Sequence, residues 1–326
     1  MSIRYGFAAC TLAFLACACS KADHTQNTGP GASGNAQRRP PPAAEIAAQA
    51  RDGQIAEKLN VYIKCLNLIS SQVSRCQEYY LAYADEKTGP NPKQAPSFNL
   101  NVSGDGICLE GLAKAKQLPP PLPDMEPSVT AYEQSLREVL PLIKDAKEYY
   151  GQGNYKDDKF AKGKAMHEPL VAAFAKFAAA NKALDAKVTK LDDELSERRL
   201  ALLEKDPDQK LHYLVSRSEK EAKAIIAAAS VKAVGELDLG KYAPLVDTYE
   251  KTLAEIDTYV PAHKQEADRV NSFTLFEPSA KSFLKAAKEL LRAKRDAKEF
   301  TNDGNPKQVL DEYNRFISSC NMLYFR

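Results

Sequence analysis

The chain predicts an all-α protein, an elongated bundle of about seven or eight long antiparallel helices behind a disordered N-terminal tether. Three observations carry that prediction. Apolar residues recur in steps of three and four over very long stretches. Gly is scarce at 15 of 326 residues and Trp is absent, while Ala, Lys, Leu and Glu dominate the second half. The breaks between periodic stretches coincide with Pro and Gly clusters.

The central stretch, Tyr155 to about Asp206, has the longest seam: Leu170, Phe174, Phe177, Asn181, Leu184, Val188, Leu191, Leu195, Arg198 and Leu202. A helix of that length exceeds the needs of a compact globule, so its neighbours are expected to be built to match it. At 44% hydrophobic and 27% charged, the chain can bury one elongated core or two shorter ones. Its 45 basic and 43 acidic residues are interleaved, giving a net charge of +2, and no basic stripe marks a nucleic-acid partner.

Residues 1–18 read as a signal peptide: Arg4, then the short apolar run Ala8 to Ala16. That run is too short to span a bilayer. It ends in Phe14-Leu15-Ala16-Cys17-Ala18-Cys19-Ser20, which resembles the lipobox of bacterial lipoprotein precursors. The resemblance implies lipidation at Cys19, with Cys17 the neighbouring alternative, and stable attachment by several acyl chains. Residues 19–43 contain Gly29-Pro30-Gly31 and Arg39-Pro40-Pro41-Pro42 and hardly an apolar side chain, the composition of a disordered linker. The expected location is the bacterial cell envelope, facing the periplasm, at the outer membrane.

The helical region occupies residues 44–326. Helix one, Ala44 to Asp85, places Ile55, Leu59, Tyr62, Leu66, Ile69, Val73, Cys76, Tyr80 and Tyr83 on one seam. Cys65 and Cys76 lie eleven residues apart on it, about 16 Å along the axis, too far to bond each other. Cys108 opens a short helix after a turn-rich loop and is expected to fold back on the last turns of helix one. The predicted disulfides are therefore Cys76 with Cys108 and Cys65 with Cys320.

Leu118 to Pro123 is a proline spacer, after which Val129, Tyr132, Leu136, Leu140 and Ile143 mark a third helix, with a bend expected at Pro141. Tyr149 to Tyr155 is a turn, and Asp157-Asp158 stands at the next helix start, with Pro169 as a further bend. Pro207 stops that helix. Further helices follow over Gln209 to Leu237, Pro244 to Phe273 with a kink at Pro261, from Pro278, and over Lys307 to Leu323.

Lys58 to Ile63 with Asn67, then Tyr79, Tyr80, Tyr83 and Gly89-Pro90, resemble the YiiG-like family of bacterial envelope lipoproteins of unknown function. So do Tyr149-Tyr150, the run Tyr155 to Lys164 with His167, and the terminal Tyr313 to Phe316 with Ser319 and Asn321. The resemblance covers nearly everything from Ala44 onward. It implies an envelope lipoprotein and carries no mechanism.

Among chemistry-bearing residues, Asp157, Asp158, His167 and Glu168 form the one close carboxylate and imidazole group, with His167 two to three helical turns beyond the aspartates. That spacing fits a capping pair and a satisfied histidine better than a metal ligand set, and no metal or other cofactor is expected. His212 and His263 stand alone, and no G-x-S-x-G, H-E-x-x-H, P-loop or Rossmann run is present. A ligand or partner groove is the other candidate: Tyr79, Tyr83, Tyr149, Tyr150 and Tyr155, together with Asp157, Asp158, Lys162 and His167, offer flat apolar faces with polar tips. The expected function is a non-catalytic helical scaffold or binding module for an envelope protein or small ligand. The alternative is an envelope hydrolase or metal-dependent enzyme using Asp157, Asp158 and His167.

Overall fold

The structure is a computed structural model that describes residues 43–91, 101–231, 234–296 and 304–325. Residues 1–42, which hold the predicted signal peptide, Cys19 and nearly all of the predicted linker, lie outside the described residues. Nine α-helices are present among those described: α1 Ala43–Tyr83, α2 Asp105–Gln117, α3 Glu126–Gly151, α4 Ala161–Glu204, α5 Lys210–Ala229, α6 Leu239–Ala262, α7 Lys264–Arg269, α8 Phe273–Arg295 and α9 Pro306–Cys320. A two-stranded hairpin, β1 Ala84–Asp85 and β2 Gly89–Pro90, follows α1.

The two predicted seams face each other. Helices α1 and α4 run antiparallel, tied by Asp52 to both guanidinium arms of Arg198 (2.8 and 2.9 Å), by Ser70 to Asn181 (2.5 Å) and by Tyr80 to His167 (2.8 Å). Ile55, Leu59, Tyr62, Leu66, Ile69, Val73, Cys76 and Tyr80 are all buried there. Helix α4, with 44 residues, is about 66 Å long and joins two separate hydrophobic cores. The first core is built from α1 to α4; the second from α5 to α9, with α5 also packing on the end of α4. The two-bundle possibility that length left open is the one realised, with α4 as the shared strut.

Several element boundaries differ from the sequence reading. Helix α1 ends at Tyr83, because Asp85 turns the chain by accepting from the backbone of Lys87 (3.0 Å) and Thr88 (2.8 Å). Residues 155–160 form a turn, and α4 begins only at Ala161. Helix α6 starts at Leu239, where Asp238 caps the N-H groups of Gly240 and Lys241, and it stops at Ala262 before the short α7. Helix α8 starts at Phe273, not Pro278. Helices α3, α4, α6 and α8 run on through Pro141, Pro169, Pro244 and Pro278, each proline giving up one ladder bond without ending its helix.

The disulfide is Cys65–Cys108, with Cα atoms 4.8 Å apart, which corrects both predicted pairs. Helix register is the reason. Gln72 accepts from the Ser103 N-H at 2.9 Å, a Cβ on Gly104 would sit 2.6 Å from Leu68, and one on Gly111 would sit 3.2 Å from Val61. Helix α2 thus lies antiparallel on the middle of α1, which sets Cys108 beside Cys65 and leaves Cys76 about three turns away. Cys320 belongs to the second core and cannot meet Cys65 in the first. The proline spacer is fixed to α1 by Lys58, which is fully buried and donates to the carbonyls of Leu118 (3.1 Å) and Pro120 (3.3 Å).

Candidate functional site

Six of the nine groove residues predicted from sequence come together where α1, α3 and α4 meet. Tyr149, Tyr150 and His167 are buried; Tyr155 and Asp158 are half-buried beside them, and Lys162 reaches over the Tyr149 ring at 5.8 Å. Asp157 and Tyr79 face solvent, and Tyr83 is half-buried at the end of α1.

The polarity of this cluster can be derived from its acceptors. The Glu86 carbonyl only accepts, so His167 Nε2 carries the proton that it shares with that oxygen at 3.0 Å. His167 Nδ1 is then the acceptor for the Tyr80 hydroxyl at 2.8 Å, and the Tyr150 ring packs beside Tyr80 at a centroid distance of 6.4 Å. Burial pushes the Tyr80 phenol up to about 12 against the opposing influence of Tyr150, and Tyr149 likewise to about 12, aided by Asp158. Tyr149 donates to Asp158 Oδ1 at 2.7 Å, and Asp158 Oδ2 accepts the Lys162 N-H at 3.0 Å. Desolvation disfavours the Asp158 carboxylate, but the hydrogen bonds from Lys162 and Tyr149 outweigh it and lower its pKa. The arrangement fastens the β1–β2 hairpin and the turn before α4 to the first core. It engages both nitrogens of His167 and both oxygens of Asp158 in structural bonds. Among the described residues no three His, Cys, Asp or Glu side chains gather as a metal site.

A second site, which sequence reasoning missed, lies where α4 crosses α5 and α9. A small cleft with a volume of about 50 Å³ is lined by Arg199 and Leu200 of α4, Glu219 and Lys223 of α5, and Tyr313 and Ile317 of α9, among others. Behind it Asp192 is only 4% exposed; its Oδ2 accepts from Lys223 Nζ at 2.9 Å, and its Oδ1 is buried with no hydrogen-bond partner among the described residues. Lys223 also donates to Asp193 at 2.7 Å. Burial raises the pKa of Asp192 against the pull of Lys223. Lys223 is raised too, because the two aspartates together outweigh its own desolvation, so its ammonium is the more secure charge of the group. Glu219 is pushed up by burial and by Asp192, opposed by Arg199 and by a hydrogen bond with Cys320.

The signal for this site was present but read as surface. The apolar stripe of α4 drifts beyond Val188: Val188 and Leu195 stay buried, while Asp192 takes the buried place expected for Leu191.

The family model described as "Protein of unknown function (DUF3829)" matches residues 54–322. The chain is also 26% identical over 289 residues to the uncharacterized protein YiiG of Escherichia coli (strain K12), covering 82% of this chain and 78% of that protein. No solved structure matches it. With the family match spanning most of its length and both helical cores, the chain belongs to the DUF3829, YiiG-like family of proteins of unknown function.

Proposed function

We propose that the chain is a lipid-anchored protein of the bacterial envelope that acts as a non-catalytic helical scaffold or binding module. The observation that carries this reading is the state of His167, whose two ring nitrogens are spent on Tyr80 and Glu86. A general base or metal ligand needs a nitrogen directed at substrate or ion. The long strut α4, braced on both sides, suits a protein that holds two packed bundles at a fixed separation. A Cys65–Cys108 disulfide supports an oxidising compartment. No described helix is long and apolar enough to cross a membrane, so the anchor in this reading is Cys19.

Replacing Cys19 with Ser is expected to move the protein from the membrane fraction to the soluble periplasm. Release by Cys17→Ser instead would reassign the anchor, and retention by both variants would refute it. Metal analysis tests the other half: stoichiometric zinc or iron that disappears in His167→Ala would overturn the non-catalytic reading.

A further inference from the structure

Among the described residues the two cores share no side chain. The buried apolar residues of α4, from Leu170 to Leu195, belong to the first core, and those of α5, from Leu211 to Ala229, to the second. Where α4 and α5 cross, polar groups link them instead. Asp192 and Asp193 hold Lys223 at 2.9 and 2.7 Å, and Glu197 holds Lys220 at 3.2 Å. Arg199 donates to His212 at 2.6 Å, and Glu204 accepts from Tyr213 at 3.3 Å. Glu197, Lys220 and Asp193 are 64%, 49% and 54% exposed, so each of their pairs contributes little. The small cleft lined by Leu200, Tyr313 and Ile317 leaves the apolar side of the contact incompletely packed, and buried Asp192 Oδ1 lacks a donor. The same stretch of α4 is held to α1 more firmly, by the two bonds from Arg198 to Asp52 and by Leu195 in the first core.

We infer that the α4–α5 contact is an electrostatic joint: the α5 to α9 bundle rests on the strut through ion pairs and swings from it about the Lys205 to Gln209 turn when those pairs are screened. Each bundle keeps its own core through the swing, because no buried apolar side chain has to change sides. The exposed pairs respond first, since the screening length falls from about 10 Å at 0.1 M salt to about 3 Å at 1 M. The strut thus sets the distance between the bundles, and the joint sets their mutual orientation.

The joint goes beyond the scaffold reading, which stands or falls by fractionation and metal analysis whether or not the second bundle moves. Pulsed electron-resonance distances on the full-length protein test it, with nitroxides on Lys190→Cys in α4 and Lys251→Cys in α6. Both positions are exposed, whereas Cys76 and Cys320 are buried. Expected are one dominant distance at about 50 mM salt and a second, longer one whose ratio to the first rises at least about threefold at about 1 M. Lys220→Glu, which sets like charges face to face, should raise that ratio about two- to fivefold at low salt. Adding Glu197→Lys should restore the closed distance. Lys223→Met, which removes the partner of buried Asp192, should raise the ratio at least about tenfold. A single distance that ignores salt, a longer population that ignores salt, or a charge swap that fails to restore closure would overturn the proposal. The salt series keeps every charge of the joint, and the swap lies at exposed positions, so both stand even if Lys223→Met fails to fold.

Discussion

Arg199 and His212 meet at the corner where α4 gives way to α5, with Arg199 Nη2 donating to His212 Nε2 at 2.6 Å. Because Nε2 accepts, the proton of the neutral ring is on Nδ1, which donates to Gln209 Oε1 at 3.2 Å. The ring also stacks on Phe325 at a centroid distance of 4.2 Å and an interplanar angle of 8°. The strut, the second bundle and the C-terminal tail are therefore joined through one imidazole. Arg199 cannot lose its proton, so protonation of His212 would set two cations against each other.

Burial, and then the Arg199 charge, lower the His212 pKa from 6.5 to about 3. The unfolded chain thus takes up a proton that the native chain refuses between these values. The sign follows: the stability owed to neutral His212 is complete above about pH 6.5 and is lost progressively as pH falls toward 3. Over the two units from pH 6.5 to 4.5 the loss is about 2 to 3 kcal/mol. Buried Asp192 and Glu219, with raised pKa values, act in the opposite sense, so the contribution must be isolated by difference. Urea midpoints at pH 7.5 and 4.5 should fall further apart in the native chain than in His212→Asn. Equal separations in the two proteins would show that the imidazole is not held neutral.

The disulfide gives a second test. A loop of 43 residues closed by Cys65 and Cys108 contributes about 4 kcal/mol in the chain-entropy account, so Cys108→Ser should lower stability by that order. Peptide mapping without reductant should yield the Cys65–Cys108 peptide. Cys76, only 2% exposed and with its thiol pushed up to about 11 chiefly by burial, should react with alkylating agents only on unfolding. A Cys76–Cys108 or Cys65–Cys320 peptide would refute the packing register of α2 on α1.

These two sites show what the sequence made legible and what it did not. The partner faces of α1 and α4 could be read from Ile55 to Tyr80 and from Leu170 to Leu195, since a repeated apolar stripe requires a facing stripe. A proline marked a helix end where the chain does stop before it, as at Glu204 before Pro207, but misled at Pro244 and Pro278, which lie inside helices that start at Leu239 and Phe273. The register of α2 was not, because it depends on how far the intervening chain returns along α1, and Leu68 against Gly104 decides that only in three dimensions. His212 looked solitary because its partner, Arg199, is thirteen residues back on another helix. Asp192 and Glu219 looked like solvated charges because periodicity marks apolar faces and is blind to a carboxylate placed on one. At the tyrosine cluster the residue types were visible, but the direction of each hydrogen bond was not.

That cluster supplies the third test, at Gly163. In an ordinary exposed helix, replacing Gly with Ala stabilises by roughly 0.5 to 1 kcal/mol. Here the added Cβ would lie 2.8 Å from the Tyr150 hydroxyl oxygen and 3.1 Å from Tyr149 Cε1, and both rings are buried. Tyr150 cannot retreat freely, because its ring packs against Tyr149 at a centroid distance of 4.8 Å and against Tyr80 at 6.4 Å. Tyr149 is in turn held by Asp158. The crowding should therefore outweigh the helix propensity, and Gly163→Ala should destabilise by about 1 to 3 kcal/mol. Removing the obstructing oxygen with Tyr150→Phe relieves the closest contact. The double variant should accordingly be more stable than the sum of the two single losses, with a coupling of about 0.5 kcal/mol or more in a thermal-denaturation cycle. Additive losses, or a stabilised Gly163→Ala protein, would mean that the hydroxyl of Tyr150 is not held against α4 at this glycine.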